Sequence, residues 1–321
     1  MDPPRAPRPP AKTRRFRELV CSPAARRTRA VRGSCYPARA LGRIRAEYNR
    51  AHPASAIRAS APARVHAELK ARLGAACDAE DCWMAQLPKR ERAYLAKRVF
   101  APRRPASWTK NPSEWLSNFD LLAVLEQYEA AHPEFAFLGP APMDFDARAA
   151  ASEGGCVSAE LCRFSLAKMA AARKTKVGIV FNTDDHDEPG SHWVSMFIDL
   201  AEGSIFYFDS AGGERPPEIA AFAKRVQAQG AAMRPPLALA YRENGAHAHQ
   251  KSNTECGMYA LFFNVVMLTG ERDGAPISHA ARARLFARGD ISDARMRAFR
   301  AIYFNPPAAG GASHGGRAEK N

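Results

Sequence analysis

Apolar positions along the chain follow two rhythms. Between residues 38 and 105 they recur every three or four positions: Leu41, Ile44 and Tyr48, then Val65, Leu69 and Leu73, then Tyr94, Leu95 and Phe100. That spacing lines one face of a helix, so the stretch predicts a small helical arm. Cys82, Trp83 and Met84 supply its apolar anchor, and Pro102 and Pro105 punctuate its end. Ser117, with Asp120 three positions later, predicts a helix start, and Leu121, Leu122, Val124, Leu125 and Tyr128 give its buried stripe. Ser158 predicts a cap for a helix running to about residue 172, with Leu161, Leu166 and Met169 inward.

Beyond that point the rhythm shortens. Residues 177–182, 193–200 and 204–209 are short, rich in β-branched and aromatic side chains, and bounded by turn residues, so they predict strands. Ala201-Glu202-Gly203 predicts a hairpin between the last two. Residues 216–229 read as a helix, 237–242 as a strand and 243–255 as a polar loop. From Cys256 to about Leu268 the chain is apolar almost all round, the signature of a helix buried on every side. Residues 293–304 read as a last amphipathic helix. A helical flank, a run of strands and an interior helix together predict an α+β fold.

Composition adds a second division. The 321 residues are 46% hydrophobic and 25% charged, an ordinary globular balance. No apolar run reaches the ~18–20 residues a spanning helix needs, and the Pro/Arg-rich start lacks an apolar signal core. A membrane-spanning or secreted protein is therefore not expected, and no membrane partner. The net charge of +14 is concentrated: residues 1–64 hold sixteen basic and three acidic side chains. Non-specific nucleic acid is one partner such a segment fits. Arg supplies 36 of the 47 basic residues, so a GC-rich coding bias is the other reading. Residues 1–37 hold few large apolar groups and are expected to be disordered. The expected order is thus a basic leader (1–37), a helical arm (38–106), a catalytic domain (107–305) and a flexible tail (306–321). Seven scattered cysteines without a CxxC pair argue against a disulfide framework and a zinc site, and for an intracellular, reducing compartment. No metal or cofactor is called for.

Three residues at element ends carry chemistry. His192 sits just before a strand, Asp209 ends the adjacent one, and Cys256 opens the buried helix. A thiol at a helix N-terminus meets unpaired N–H groups and the positive end of the dipole, both of which favour its anion. Cys256 as nucleophile, His192 as general base and acid, and Asp209 as orienter complete an acyl-transfer site. Gln250, six positions before the cysteine, can join the Cys256 N–H in stabilising the oxyanion. His247 and His249 flank Gln250 closely enough to compete for the role of base. The acidic run at 184–188 reads as a solvated turn.

The strings Ser191-His192-Trp193-Val194, Phe206-Tyr207-Phe208-Asp209-Ser210 and Gln250-Lys251-Ser252-Asn253-Thr254-Glu255-Cys256-Gly257-Met258-Tyr259 occur in this order. Together they resemble the ubiquitin-like-protein-specific and adenovirus-type cysteine proteases. Trp115-Leu116-Ser117-Asn118 is similar to the entry motif of that family, departing from it at Ser117 and Asn118. The resemblance spans about residues 108–304, and its finer match is to proteases of large DNA viruses. It implies a papain-like cysteine protease core, a central mixed sheet with a buried nucleophile helix, plus an N-terminal helical arm. It also implies a His192–Asp209–Cys256 triad. Trp115 and Trp193 would flank a narrow substrate tunnel. The expected reaction is cleavage of viral structural polyproteins after small residues, of Gly-Gly or Gly-Ala type, during virion maturation. The alternative substrate is a ubiquitin-like conjugate cut by an isopeptidase.

Overall fold

The computed structural model describes residues 16–148 and 155–307, which fall into two compact units divided between Ala101 and Pro102. In the first unit the helical periodicity is realised as α1 (Pro23–Thr28), α2 (Ala38–Ala51), α3 (Pro62–Leu73) and α4 (Lys89–Val99). Leu41, Ile44, Leu69 and Tyr36 close on Trp83, whose indole stacks against Tyr36 at 6.1 Å between ring centres. Glu80 lies buried beneath them. Its carboxylate accepts the Ser34 hydroxyl at 2.7 Å and the Cys35 N–H at 2.6 Å, and stands 3.3 Å from His66 Nε2.

Two expectations are corrected here. Residues 16–37 are not a disordered leader, because Cys21, Cys35 and Tyr36 are buried in this core. Few residues are apolar there, but Phe16, Leu19, Ala25, Ala30 and Val31 also pack in or against this core; residues 1–15 lie outside the described chain. Nor are the cysteines free. Cys21–Cys35, Cys77–Cys82 and Cys156–Cys162 form disulfides, and Cys256 alone is unpaired among the described residues. Local chain reversals bring each pair together, a constraint that spacing alone does not reveal. In the helical unit the two bridges add cross-links to a small core.

The second unit is built on a five-stranded sheet. Here α5 (Asn118–Ala131) opens with the expected cap: the Ser117 hydroxyl accepts the Asp120 N–H, and the Asp120 carboxylate accepts the Ser117 N–H. It leads into β1 (Phe135–Ala141), a strand the sequence pattern did not indicate because Gly139 and Pro140 interrupt it. The expected helix after Ser158 is broken into α6 (Ala159–Cys162) and α7 (Leu166–Ala171). Then β2 (Lys176–Asn182), β3 (Trp193–Asp199) and β4 (Ser204–Phe208) form an antiparallel meander, with the expected turn at 200–203. After α8 (Pro217–Ala231), β5 (Ala240–Glu243) returns parallel to β4, and β1 lies parallel to β2 at the other edge.

Alternate side chains of these strands feed two cores. Phe135, Val180, Phe197, Phe206 and Phe208 face α5 and α9 (Cys256–Thr269), whereas Val177, Ile179, Met196, Ile198 and Tyr207 face α8. Every residue of α9 from Cys256 to Leu268 is buried, as its all-round apolarity predicts. Gly270 ends it in the left-handed conformation, φ 70°, and a short ribbon of β6 (Glu271–Arg272) and β7 (Ala275–Pro276) follows. Then α10 (His279–Arg288), hidden in an Arg/Ala-rich sequence, and α11 (Asp293–Tyr303) pack over α9. The architecture is the mixed sheet with a buried helix that the resemblance implied.

The contact between α9 and the sheet leaves no spare volume at Gly178. A Cβ there would stand 2.3 Å from Asn264 Oδ1 and 2.9 Å from the Phe135 ring. Gly178→Ala is expected to cost about 1–3 kcal/mol, read as a lower urea midpoint with an unchanged slope.

Candidate active site

The meander puts two polar residues at one end of neighbouring strands. Ser195 pairs with Phe208, so His192 and Asp209 lie just beyond the same end of the β3–β4 ladder. Their side chains meet: His192 Nε2 donates to Asp209 Oδ1 at 2.6 Å. The Asp209 carboxylate also accepts the Ala211 N–H at 2.8 Å and the Gly213 N–H at 2.9 Å. Its backbone is clamped by a residue the sequence reasoning did not single out. Asn244 accepts the Asp209 N–H at 3.0 Å and donates to the Asp209 carbonyl at 2.6 Å. Asn244 follows directly on β5, so the edge strand fixes the carboxylate.

With Nε2 committed to Asp209, Nδ1 is the ring nitrogen left to face Cys256, whose thiol acts on the ring's proton affinity. Burial by itself would lower the His192 pKa. The hydrogen bonds to Asp209 and Cys256 outweigh it and raise the ring from 6.5 to about 10. Burial acts on Asp209 in the opposite sense, raising its pKa, but the bond from His192 and the two backbone N–H groups leave it lowered. Each partner therefore favours the charged form of the other.

Cys256 is the first residue of α9, beside the free N–H groups of the helix start. Gly257 follows because nothing larger fits: a Cβ there would lie 2.8 Å from Leu116 Cβ and 3.3 Å from Trp193 Cδ1. The head of α9 thus sits flush against the 115–117 segment and the first residue of β3. Trp193 is tied to the same segment, its indole N–H donating to the Leu116 carbonyl at 2.9 Å. Leu116, not Trp115, makes this contact. Trp115 is 44% exposed, and no aromatic pair among the described residues joins it to Trp193. Trp193, Asn118, Asn182 and Gly190 line a cavity of about 710 Å³ beside the histidine.

Gln250 is buried in the loop before α9, with its amide held in one orientation. Ser210 donates its hydroxyl to Gln250 Oε1 at 2.8 Å, so the NH₂ must face the other way. One of its hydrogens goes to the Ser252 carbonyl at 2.6 Å, and the second is left to donate. The Ser210 carbonyl accepts the N–H groups of His249 and Gln250 at 2.9 and 2.8 Å. Asp209-Ser210 therefore carries both the orienting carboxylate and the support of the oxyanion loop. The competing histidines are engaged elsewhere. His247 Nε2 donates to the Gly289 carbonyl at 2.9 Å, and His249 Nε2 to the Phe286 carbonyl at 2.8 Å. Burial lowers the pKa of His249. The acidic run at 184–188 is exposed, apart from Asp184, which is partly buried, and His186 pairs with Asp144 at 2.5 Å.

A thiol at a helix head, with an imidazole–carboxylate pair delivered by two strands in the order His, Asp, Cys, is an arrangement suited to thiol acyl transfer. Residues 168–301, which contain all three groups and Gln250, match the model of the Ulp1 protease family, C-terminal catalytic domain. The chain is 28% identical over 220 residues to a thiol protease of Acanthamoeba polyphaga mimivirus. That match covers 64% of this chain and 65% of the relative, so the chain spans just under two thirds of the mimivirus protein. A cysteine protease of African swine fever virus is 25% identical over 238 residues, 71% of this chain and 83% of its own. The crystal structure of that virus's protease shares the fold with a TM-score of 0.61 at 20% identity, over 91% of this chain and 97% of the other. No helix among the described residues is long and apolar enough to cross a membrane.

The bond to Asp209 is what holds a proton on a half-buried ring. In Asp209→Asn that support is withdrawn while burial, which lowers the ring's pKa, remains. The basic limb of kcat/KM for a peptide substrate is expected to move from near pH 10 toward neutrality, with roughly 10²–10⁴-fold lower activity at its optimum.

Proposed function

We propose that this chain is a cysteine endopeptidase that cuts after small residues, of Gly-Gly or Gly-Ala type, in viral structural polyproteins during virion maturation. The observation that carries the reading is the 2.6 Å His192–Asp209 bond, set beside the sole unpaired thiol of the described chain. Cys256 Sγ attacks the scissile carbonyl carbon. The oxyanion is held by the free Gln250 amide hydrogen and the Cys256 N–H. The His192 imidazolium hands its proton to the leaving amine as the C–N bond breaks and a thioester remains. Water then attacks the thioester, His192 takes its proton, and the thiolate departs. Asp209 stays ionised throughout and steadies the ring.

Trp193 supports the small-residue preference, because its indole closes on Gly257 and Leu116 at the nucleophile. Trp115 faces solvent on the same segment, free to close over a bound peptide as the second wall of the tunnel. Viral relatives support the setting, inside the infected cell or the virion. The charge of residues 1–64 supports an additional non-specific contact with nucleic acid there.

The reading is tested with a Gly-Gly peptide bearing an electrophilic carbon at its C-terminus. It is expected to label Cys256 in the wild-type chain and to label it at least about 10²-fold more slowly in His192→Ala. Labelling confined to other residues would refute it. Trp193→Ala is expected to raise Ala-Ala cleavage relative to Gly-Gly cleavage by roughly tenfold, in line with the cost of a lost shape constraint. Equal ratios before and after would remove the tunnel. A second reading, an isopeptidase acting on ubiquitin-like conjugates, is favoured by one similar chain, 26% identical, named a SUMO-1 cysteine protease in another isolate of the swine fever virus. Rapid release of a fluorophore from one modifier, with no cleavage of Gly-Gly peptides, would select it.

A further inference from the structure

Glu255, the residue immediately before Cys256, is fully buried. A carboxylate at that point opposes a thiolate next door, and its burial removes the screening that water would supply. It does not stand alone. Arg300, from the last turn of α11, lies against it with Nε and Nη2 both 3.1 Å from Glu255 Oε2. The guanidinium is itself nine-tenths buried and packs over the Trp108 ring at 4.5 Å. Seven positions earlier on the same helix face, Asp293 accepts the N–H groups of Lys251 and Ser252 at 3.1 and 2.7 Å. One helix thus grips both ends of the segment that runs from the oxyanion loop to the nucleophile.

We infer that Arg300 is a positioning residue that acts through Glu255: it cancels a buried negative charge beside Cys256 and so preserves the thiolate that attacks the substrate. The inference rests on the proposed role of Cys256. The other charged or titratable groups around the sulfur leave this task open. His192 supplies the proton partner from the start of β3, and Asp209 is spent on His192. Asp293 is occupied by the loop N–H groups and the Tyr259 hydroxyl. Lys251 turns its ammonium to the Ala248 carbonyl at 2.8 Å. Arg300 is the cation placed on Glu255. The Glu255 side chain in turn ties the start of α9 to α11.

The test uses the full chain and four variants: Glu255→Gln, Arg300→Met, Arg300→Lys and Glu255→Gln/Arg300→Met. Iodoacetamide alkylation of Cys256 is followed on the acid side of its pH profile, together with peptide hydrolysis. Glu255→Gln is expected to alkylate roughly three- to tenfold faster than wild type, and Arg300→Met slower by a similar factor. The double variant returns close to the wild-type rate, and Arg300→Lys retains most of it. Hydrolysis by Arg300→Met falls about tenfold in kcat with little change in KM. Rates that are equal in all variants, or slowed alike in all, would overturn the inference, since lost packing has no reason to change sign with charge. Should Arg300→Met fail to fold, Glu255→Gln decides alone: a faster rate sustains the inference, and an unchanged or slower one ends it. Peptide hydrolysis that survives stoichiometric alkylation of Cys256 would instead defeat the peptidase reading itself.

Discussion

Burial of α9 on every side is the constraint from which the rest follows. A helix whose residues from Cys256 to Leu268 are all inside has no freedom to shift along its axis without opening voids against the sheet and the covering helices. Gly178 and Gly257 mark two places of close approach, one at the sheet and one beside Cys256. The sulfur is therefore located by core packing. The polar partners come from the strand ends and the adjoining loop, which the same packing brings into register. A thiol mounted this way is held in place by packing and needs little reorganisation.

The polar groups are linked as well as placed. Asn244 fixes Asp209 from the edge strand, Asp209 fixes His192, Ser210 fixes Gln250, and α11 fixes the loop between Gln250 and the thiol. Each of these bonds joins elements distant in sequence. The site is a set of linked hydrogen bonds beyond one end of strands β3 and β4, and losing a link would loosen its neighbour.

Much of the interior was legible from periodicity. The all-round apolar run marks α9 to within a residue, and short runs rich in β-branched and aromatic side chains mark β2, β3 and β4, because burial there is decided by local pattern. Gly139 and Pro140 hid β1, and the many arginines of α10 hid a helix whose buried face is only Ala283, Leu285 and Phe286 besides Arg282. His192, Asp209, Gln250 and Cys256 were readable through their positions at element ends. Asn244, Ser210, Glu255 and Arg300 were not, since their roles arise from contacts that span 35 to 45 positions of chain. The three disulfides escaped for a similar reason: spacing says nothing about which reversals the backbone makes.

Those disulfides have a practical corollary. Six of the seven cysteine sulfurs are tied in pairs and the seventh heads α9. In the oxidised protein a thiol titration would therefore report on a single position. Each equivalent of reagent consumed would count one reduced Cys256, so a preparation could be standardised by the concentration of that thiol instead of by mass.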